Sequence, residues 1–369
     1  MICGLVTVLL GPILPVISAR WSMTDVEGGW LFAAQFSASV LGAGLSSYFP
    51  RKSVVFGFAA IAAGLAVLAA GRYGAALLAF ALIGTGQGLT VGAINLIFGN
   101  AYPERRGALL TNVNLCWGIG AVLAPQFVAL AERGHALRLF LAVLALCAVV
   151  AFALFTPLLR RGDLEIKRDE EIRASVRARF NAAMFALFSL MMFLYVGTET
   201  TIAGWIATYA HRFGGLDAAK ASSFVSAFWL SLVMGRGLVG VLLKRAREQV
   251  ILLAGIVAAM GGIVMLLFSG GFRMEFVAVV VAGLGCAPVF PLAVARMFGR
   301  LGRTRHAGWA FAICGWGGAV VPWITGVVSQ YSGSLRAAFL APLAALGGIL
   351  ICVLIESAMT RPARSFAQS

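Results

Sequence analysis

The chain is short of charge. Asp, Glu, Lys and Arg make up 12% of its 369 residues, about half the share in a soluble globular domain, while 61% are hydrophobic and mean hydropathy is +0.94. A water-soluble domain is excluded. Cysteine is sparse and unpatterned: Cys3, Cys116, Cys147, Cys286, Cys314 and Cys352 lie inside apolar runs without a CxxC pair, so neither a disulfide framework nor a zinc site is expected. The three histidines, His135, His211 and His306, sit in loops or at span ends and offer no metal spacing, triad or proton relay. No cofactor box is present, and no nucleophile–base pair recurs within the apolar runs, so neither an enzyme nor a cofactor is expected. A cleavable leader would need a basic start and a small-residue cleavage site, and "MICGLVTVLLGPILPVISA" has neither.

What is abundant is apolar runs with short polar gaps. Their length fits helices rather than barrel strands, and backbone groups in lipid must pair within their own segment. A bilayer core takes roughly 20 apolar residues per helix. On that measure twelve spans are expected, near 2–19, 28–48, 53–71, 74–99, 108–130, 138–158, 181–210, 219–243, 249–269, 274–298, 307–330 and 335–357. Pro12 and Pro15 should kink the first. The net charge of +15 would suggest nucleic acid in a soluble protein, but here it sorts among the loops. With both termini inside, 19 basic residues fall in inner loops and 8 in outer ones. The expected setting is the plasma (inner) membrane with cytoplasmic termini, no nucleic-acid partner and a monomeric state.

The long polar stretch "RRGDLEIKRDEEIRASVRARF" divides six spans from six. We therefore expect bundles over 1–158 and 181–369, joined by a cytoplasmic linker over 159–180. The halves echo each other: Gly84 and Gly86 recur as Gly283 and Gly285, and Trp117-Gly118 as Trp316-Gly317, both displaced by 199 positions. Gly42, Gly44, Arg51 and Lys52 are paralleled by Gly235, Gly237, Lys244 and Arg245. Parallel six-helix repeats are the build of many secondary transporters, and small residues let such helices approach closely.

This pattern resembles the major facilitator superfamily, whose loop after span two matches "AGLSSYFPRK" at Leu45, Arg51 and Lys52, with Ser47 in place of the usual acid. "YVGTETTIAGWIATYA" and "GLGCAPVFPL" resemble signatures of the fucose–galactose–glucose symporters and their sodium–glucose relatives. The resemblance implies cation-coupled movement of a small hydroxylated solute, a monosaccharide or similar polyol, by alternating access. Such symporters carry acids in spans one and four; this chain has none there and offers Gln87 and Asn95 in span four instead.

Of fourteen acids, only Glu199 falls well within a span. A charge at mid-bilayer costs about 2.5–3.5 kcal/mol on insertion scales, so such a group normally faces a cavity. Three tasks fit it: carrying a coupling H+, ligating Na+ with the Thr198, Thr200 and Thr201 hydroxyls and freed backbone carbonyls, or binding a solute hydroxyl; a structural acid is the alternative. Gln35, Gln87, Asn95, Asn112 and Asn114 are amide candidates for solute hydroxyls, since amides both donate and accept. Trp117, Tyr195, Trp205, Trp229 and Trp316 are candidate covers for its faces. Arg236, read as the one buried base, is assigned with Arg51, Lys52, Pro288 and Pro291 to gating or structure. A proton-driven exporter of amphipathic compounds and a non-transporting receptor are the competing functions.

Overall fold

A computed structural model of the chain describes residues 1–101, 106–160, 181–301 and 307–359. Among the described residues every regular element is helical. Of the expected linker over 159–180, residues 161–180 lie outside them. Helices α1 (Ile2–Val8) and α2 (Leu10–Trp21) make the first span. Next come α3 (Asp25–Ser46), α4 (Pro50–Ala69), α5 (Tyr73–Ala101), α6 (Arg106–Arg133) and α7 (Leu137–Phe155). The second set is α8 (Ala182–Phe213), α9 (Ala218–Leu242), α10 (Glu248–Leu267), the pair α11 (Phe272–Cys286) and α12 (Val289–Leu301), α13 (Ala307–Ser332), and the pair α14 (Leu335–Ala338) and α15 (Leu340–Met359). All twelve expected spans are present as helix. Ten stretches are long and apolar enough to cross a membrane, and the bent α1–α2 pair gives an eleventh. α3 is as long but less apolar, because Gly28, Gly29, Gln35, Ser37, Ser39, Gly42 and Gly44 dilute it.

The breaks follow the prolines through the bonds they remove. The 45° bend in span one comes at Leu9, not at Pro12, because proline cannot donate to the carbonyl four residues back, here that of Val8. The freed region is satisfied from α3: Gln35 Nε2 donates to the carbonyls of Val6 (3.3 Å) and Thr7 (3.2 Å). Span ten breaks the same way between Cys286 and Val289, around Pro288.

Packing repeats between the halves. A Cβ on Gly42 would run into the Thr85 carbonyl, and one on Gly235 would touch Leu284, the equivalent position of the second half. Gly57 and Gly86 abut each other as Gly255 and Gly285 do; Gly64 meets Ala79 and Ile83 as Gly262 meets Ala278 and Ala282. Even the helix starts correspond. Thr24 caps α3 by accepting from Glu27 N at 3.2 Å, and Asp217 caps α9 by accepting from Lys220 N at 2.8 Å. Across the junction, α3 packs on α13 and α6 on α9, related by the same exchange of halves. At its centre Gly11 lies against Ala203 and Gly204.

The two ends of the junction differ. At the end bearing Asp25, which we call the roof, Arg212 donates to both Asp25 carboxylate oxygens (2.8 and 2.5 Å), and Ser329 donates to it at 2.5 Å. Trp30 and Trp323 lie 5.3 Å apart there. Toward the opposite end, the halves touch at Val40–Gly315 and Gly118–Val233; beyond these, Gly44, Gly237 and Gly240 face open space. At that same end α12 is fastened to α15, because Arg296 and Arg300 (3.1 Å) both donate to the buried Glu356. Arg236 is therefore not alone as a half-buried base. Arg51 and Lys52, assigned to gating, start α4 at this end, with Lys52 Nζ 5.4 Å from the Phe49 ring centre.

Candidate functional site

Between the halves, beneath the roof, lies a cavity of about 330 Å³. Its walls come from both repeats: Thr7, Val8 and Gly11 at the span-one bend, Phe32 and Phe36 of α3, Gln87 and Val91 of α5, Asn114 and Trp117 of α6. The second half adds a stripe of α8, Trp229 and Arg236 of α9, and Phe290 just beyond the break in span ten. The α8 stripe is Val196, Glu199, Thr200, Ala203 and Gly204, whose spacing of three and four puts them on one face. That spacing turns Thr198 and Thr201 away. Thr198 donates to its own helix at Leu194 O (2.9 Å), and the Thr201 hydroxyl is buried with no partner.

Glu199 faces the cavity and is not solitary. Arg236 Nη2 stands 3.5 Å from its Oε1 through a single contact, with the arginine side chain 39% exposed and the glutamate 13%. Arg236, expected to serve gating or structure, thus stands on the cavity wall beside Glu199. α9 runs antiparallel to α8 in the bundle, so a base two turns from one end of α9 reaches an acid near the middle of α8. The buried Tyr195 hydroxyl lies close beside both Glu199 and Arg236.

Of the expected solute ligands, Gln87, Asn114, Trp117 and Trp229 line the cavity. The others stand elsewhere. Gln35 is fully buried and engaged with the α1 carbonyls and, at 3.5 Å, with Gln87. Asn95 and Asn112 are exposed and off the cavity wall; Asn112 is two residues from Asn114 and so points about 200° away. Tyr195 lies behind the wall, its ring 5.5 Å from that of Phe290. Trp205 is buried with Nε1 donating to Pro322 O at 3.1 Å, and Trp316 is 42% exposed outside the wall. Pro291 does not line the cavity, and Pro288 marks the break and packs on Gly255.

Sequence reasoning passed over Phe32, Phe36 and the span-one residues. The four-residue spacing of the two phenylalanines was a visible signal, but nothing in an apolar run tells a cavity face from a lipid face. Trp117 and Trp229 meet edge to face at 5.3 Å, which makes a single aromatic wall from helices of different halves.

The roof latch is open to test. Burial pushes the Asp25 carboxyl up from 3.8, but the hydrogen bonds from Arg212 and Ser329 and the Arg212 charge outweigh it and hold the group lower. A carboxyl lowered in the closed state favours closure above its ordinary value, and the contact is lost as pH falls through the lowered one. Roof closure should thus be level from about pH 5 to 8 and weaken below about pH 4. At neutral pH, Asp25→Asn or Arg212→Gln should shift the roof toward open by about five- to thirtyfold, the effect of 1–2 kcal/mol. Exchange of the two charges should restore it. Thiol labelling of a cysteine placed at Trp30 reads the change; equal labelling in all variants would show the latch idle.

A family model described as Major Facilitator Superfamily matches residues 1–291. Bypass of stop codon protein 6 of Saccharomyces cerevisiae is 22% identical over 370 residues, covering 88% of this chain and 74% of that one. Sodium-dependent glucose transporter 1 of Homo sapiens is 26% identical over 151 residues, 40% of this chain and 28% of its own length. Among solved structures, a bacterial homolog of the human lysosomal transporter Spinster, inward-facing and occupied, superposes with TM-score 0.74 at 13% identity, covering 99% of this chain and 96% of that one. The transporter FucP in the outward conformation gives 0.63 at 19% identity, covering 96% and 97%.

Proposed function

The chain belongs to the Major Facilitator Superfamily, and on that premise we propose that it is a secondary transporter that moves a small hydroxylated solute by alternating access, coupled to H+ through Glu199. The observation that carries this reading is the Glu199–Arg236 pair inside a cavity walled by both repeats. A carboxylate held by one long contact can give up its partner when it takes a proton, and so tie protonation to what else occupies the site. Proton coupling is favoured over Na+ because the Thr198 hydroxyl is engaged in its own helix and Thr200 alone of the three threonines faces the cavity. Hard cations want several converging oxygens, and the wall supplies few. Gln87, Asn114 and Thr200 suit solute hydroxyls, and Trp117 and Trp229 suit the faces of a sugar-sized ring.

We take the plasma membrane as the setting and, from the basic bias of the loops, the linker end as cytoplasmic. With that orientation the Asp25–Arg212 roof lies on the outer side. Uptake of labelled monosaccharides and polyols into proteoliposomes, under separately imposed pH and Na+ gradients, tests the function. Accumulation should follow the pH gradient. A second reading, proton-driven export of amphipathic compounds, is favoured by the apolar wall of Phe32, Phe36, Trp117, Trp229 and Phe290. It predicts gradient-driven efflux of such compounds and no sugar accumulation.

A further inference from the structure

Among the described residues that line the cavity, Glu199 and Arg236 are the only charged ones. They sum to zero while paired. Once Glu199 takes a proton, the site holds an uncompensated guanidinium in a low-dielectric junction. A neutral solute, or Na+ in place of the proton, leaves that positive charge standing as the halves close around it. An uncompensated ion costs several kcal/mol when water is withdrawn from it. A solute bearing one negative charge removes the imbalance. A phosphomonoester, with close to two charges at neutral pH, would overshoot it.

The geometry fits such a partner. Arg236 gives Glu199 one contact at 3.5 Å, and its side chain, on the cavity wall, is 39% exposed. A guanidinium has five N–H donors in a planar fork that matches a carboxylate in two parallel bonds, a better fit than the present single contact. Other titratable groups within electrostatic reach of the pair are Tyr195 on α8, Cys286 at the end of α11 and Cys314 on α13. All three are neutral when protonated, so they do not supply the missing negative charge.

Resting on the transporter reading above, we propose that the solute is a small hydroxylated monocarboxylate, of the size of a sugar acid, whose carboxylate binds Arg236 when Glu199 takes the coupling proton. On loading, water-borne H+ bonds to the Glu199 carboxylate and the guanidinium transfers to the solute anion. On release, the proton leaves and Arg236 returns to Glu199. Each cycle moves one proton with one anion and is electrically neutral. Gln87, Asn114 and Thr200 take the hydroxyls.

The experiment is equilibrium exchange of labelled glucuronate and labelled glucose in proteoliposomes containing the full chain, wild type and Arg236→Gln. Glucuronate should exchange at least about tenfold better than glucose in the wild type, and R236Q should lower glucuronate to the glucose level. Arg236→Lys, which keeps the charge but not the fork, should fall between. If R236Q fails to fold, the wild-type ratio and the absence of current during glucuronate uptake carry the test alone. Glucose exchanged as well as glucuronate overturns the proposal and leaves the transporter reading standing. Exchange of neither overturns both.

Discussion

Glu199→Gln should abolish solute accumulation driven by a pH gradient while leaving equilibrium exchange in place. A carrier that moves one proton per solute converts each pH unit into about 1.4 kcal/mol, a tenfold concentration ratio. Under two pH units the wild type should approach a ratio of about 100, and the glutamine variant should stop near 1. The amide keeps the shape of the acid and its hydrogen-bonding capacity but cannot take or release the proton. It also strips Arg236 of its countercharge. Breaking a fully buried pair costs about 3–5 kcal/mol, and less is expected here because the Arg236 side chain is 39% exposed. The single variant should therefore also melt lower. Removing Arg236 as well, in Glu199→Gln with Arg236→Gln, should return stability without returning accumulation. Concentrative uptake by E199Q at the wild-type ratio would remove Glu199 from coupling altogether.

The second large effect concerns assembly. Gly84 on α5 presses so closely on α3 that a Cβ would collide with the Gln35 carbonyl oxygen; Gly317 on α13 does the same to Phe193 on α8. Both obstacles are backbone, which cannot swing aside as a side chain can. Gly84→Ala and Gly317→Ala should each part a principal helix crossing and cost about 1–3 kcal/mol or more. Gly44→Ala is the control, since nothing lies within 4 Å of its would-be Cβ. Thermal unfolding in detergent should show the first two variants several degrees below the wild type and the third unchanged. A Gly84→Ala protein as stable as Gly44→Ala would mean that the α3–α5 crossing is looser than described.

Much of the architecture was legible because each feature has a local signal. Span count follows from the length of apolar runs, and the repeat from glycines whose spacing the helix crossings require. The break in span ten was not fixed by Pro288 and Pro291, since Pro125 and Pro322 sit inside unbroken helices. Glu199 was legible from the cost of a charge in lipid. The pairing with Arg236 was not. It depends on how α8 and α9 are rotated about their axes, and an apolar chain writes no amphipathic stripe to fix that rotation. The same missing stripe misplaced Trp205 and Trp316: a tryptophan in an all-apolar helix suits a protein core, a cavity wall or a lipid face equally well. Asn114 was separable from Asn112 by helix geometry, yet which of the two faces inward needed the neighbouring Trp117–Trp229 contact.

The most direct test places a single cysteine on the cavity wall, Asn114→Cys, in a protein whose Cys116 and Cys147 are replaced. A membrane-impermeant thiol reagent is then applied from each side of oriented proteoliposomes. One cavity with alternating access predicts labelling from the linker side in the resting protein, and a gain of labelling from the roof side when Asp25→Asn is added. Labelling confined to one side whatever the state of the roof, or none from either, would contradict it.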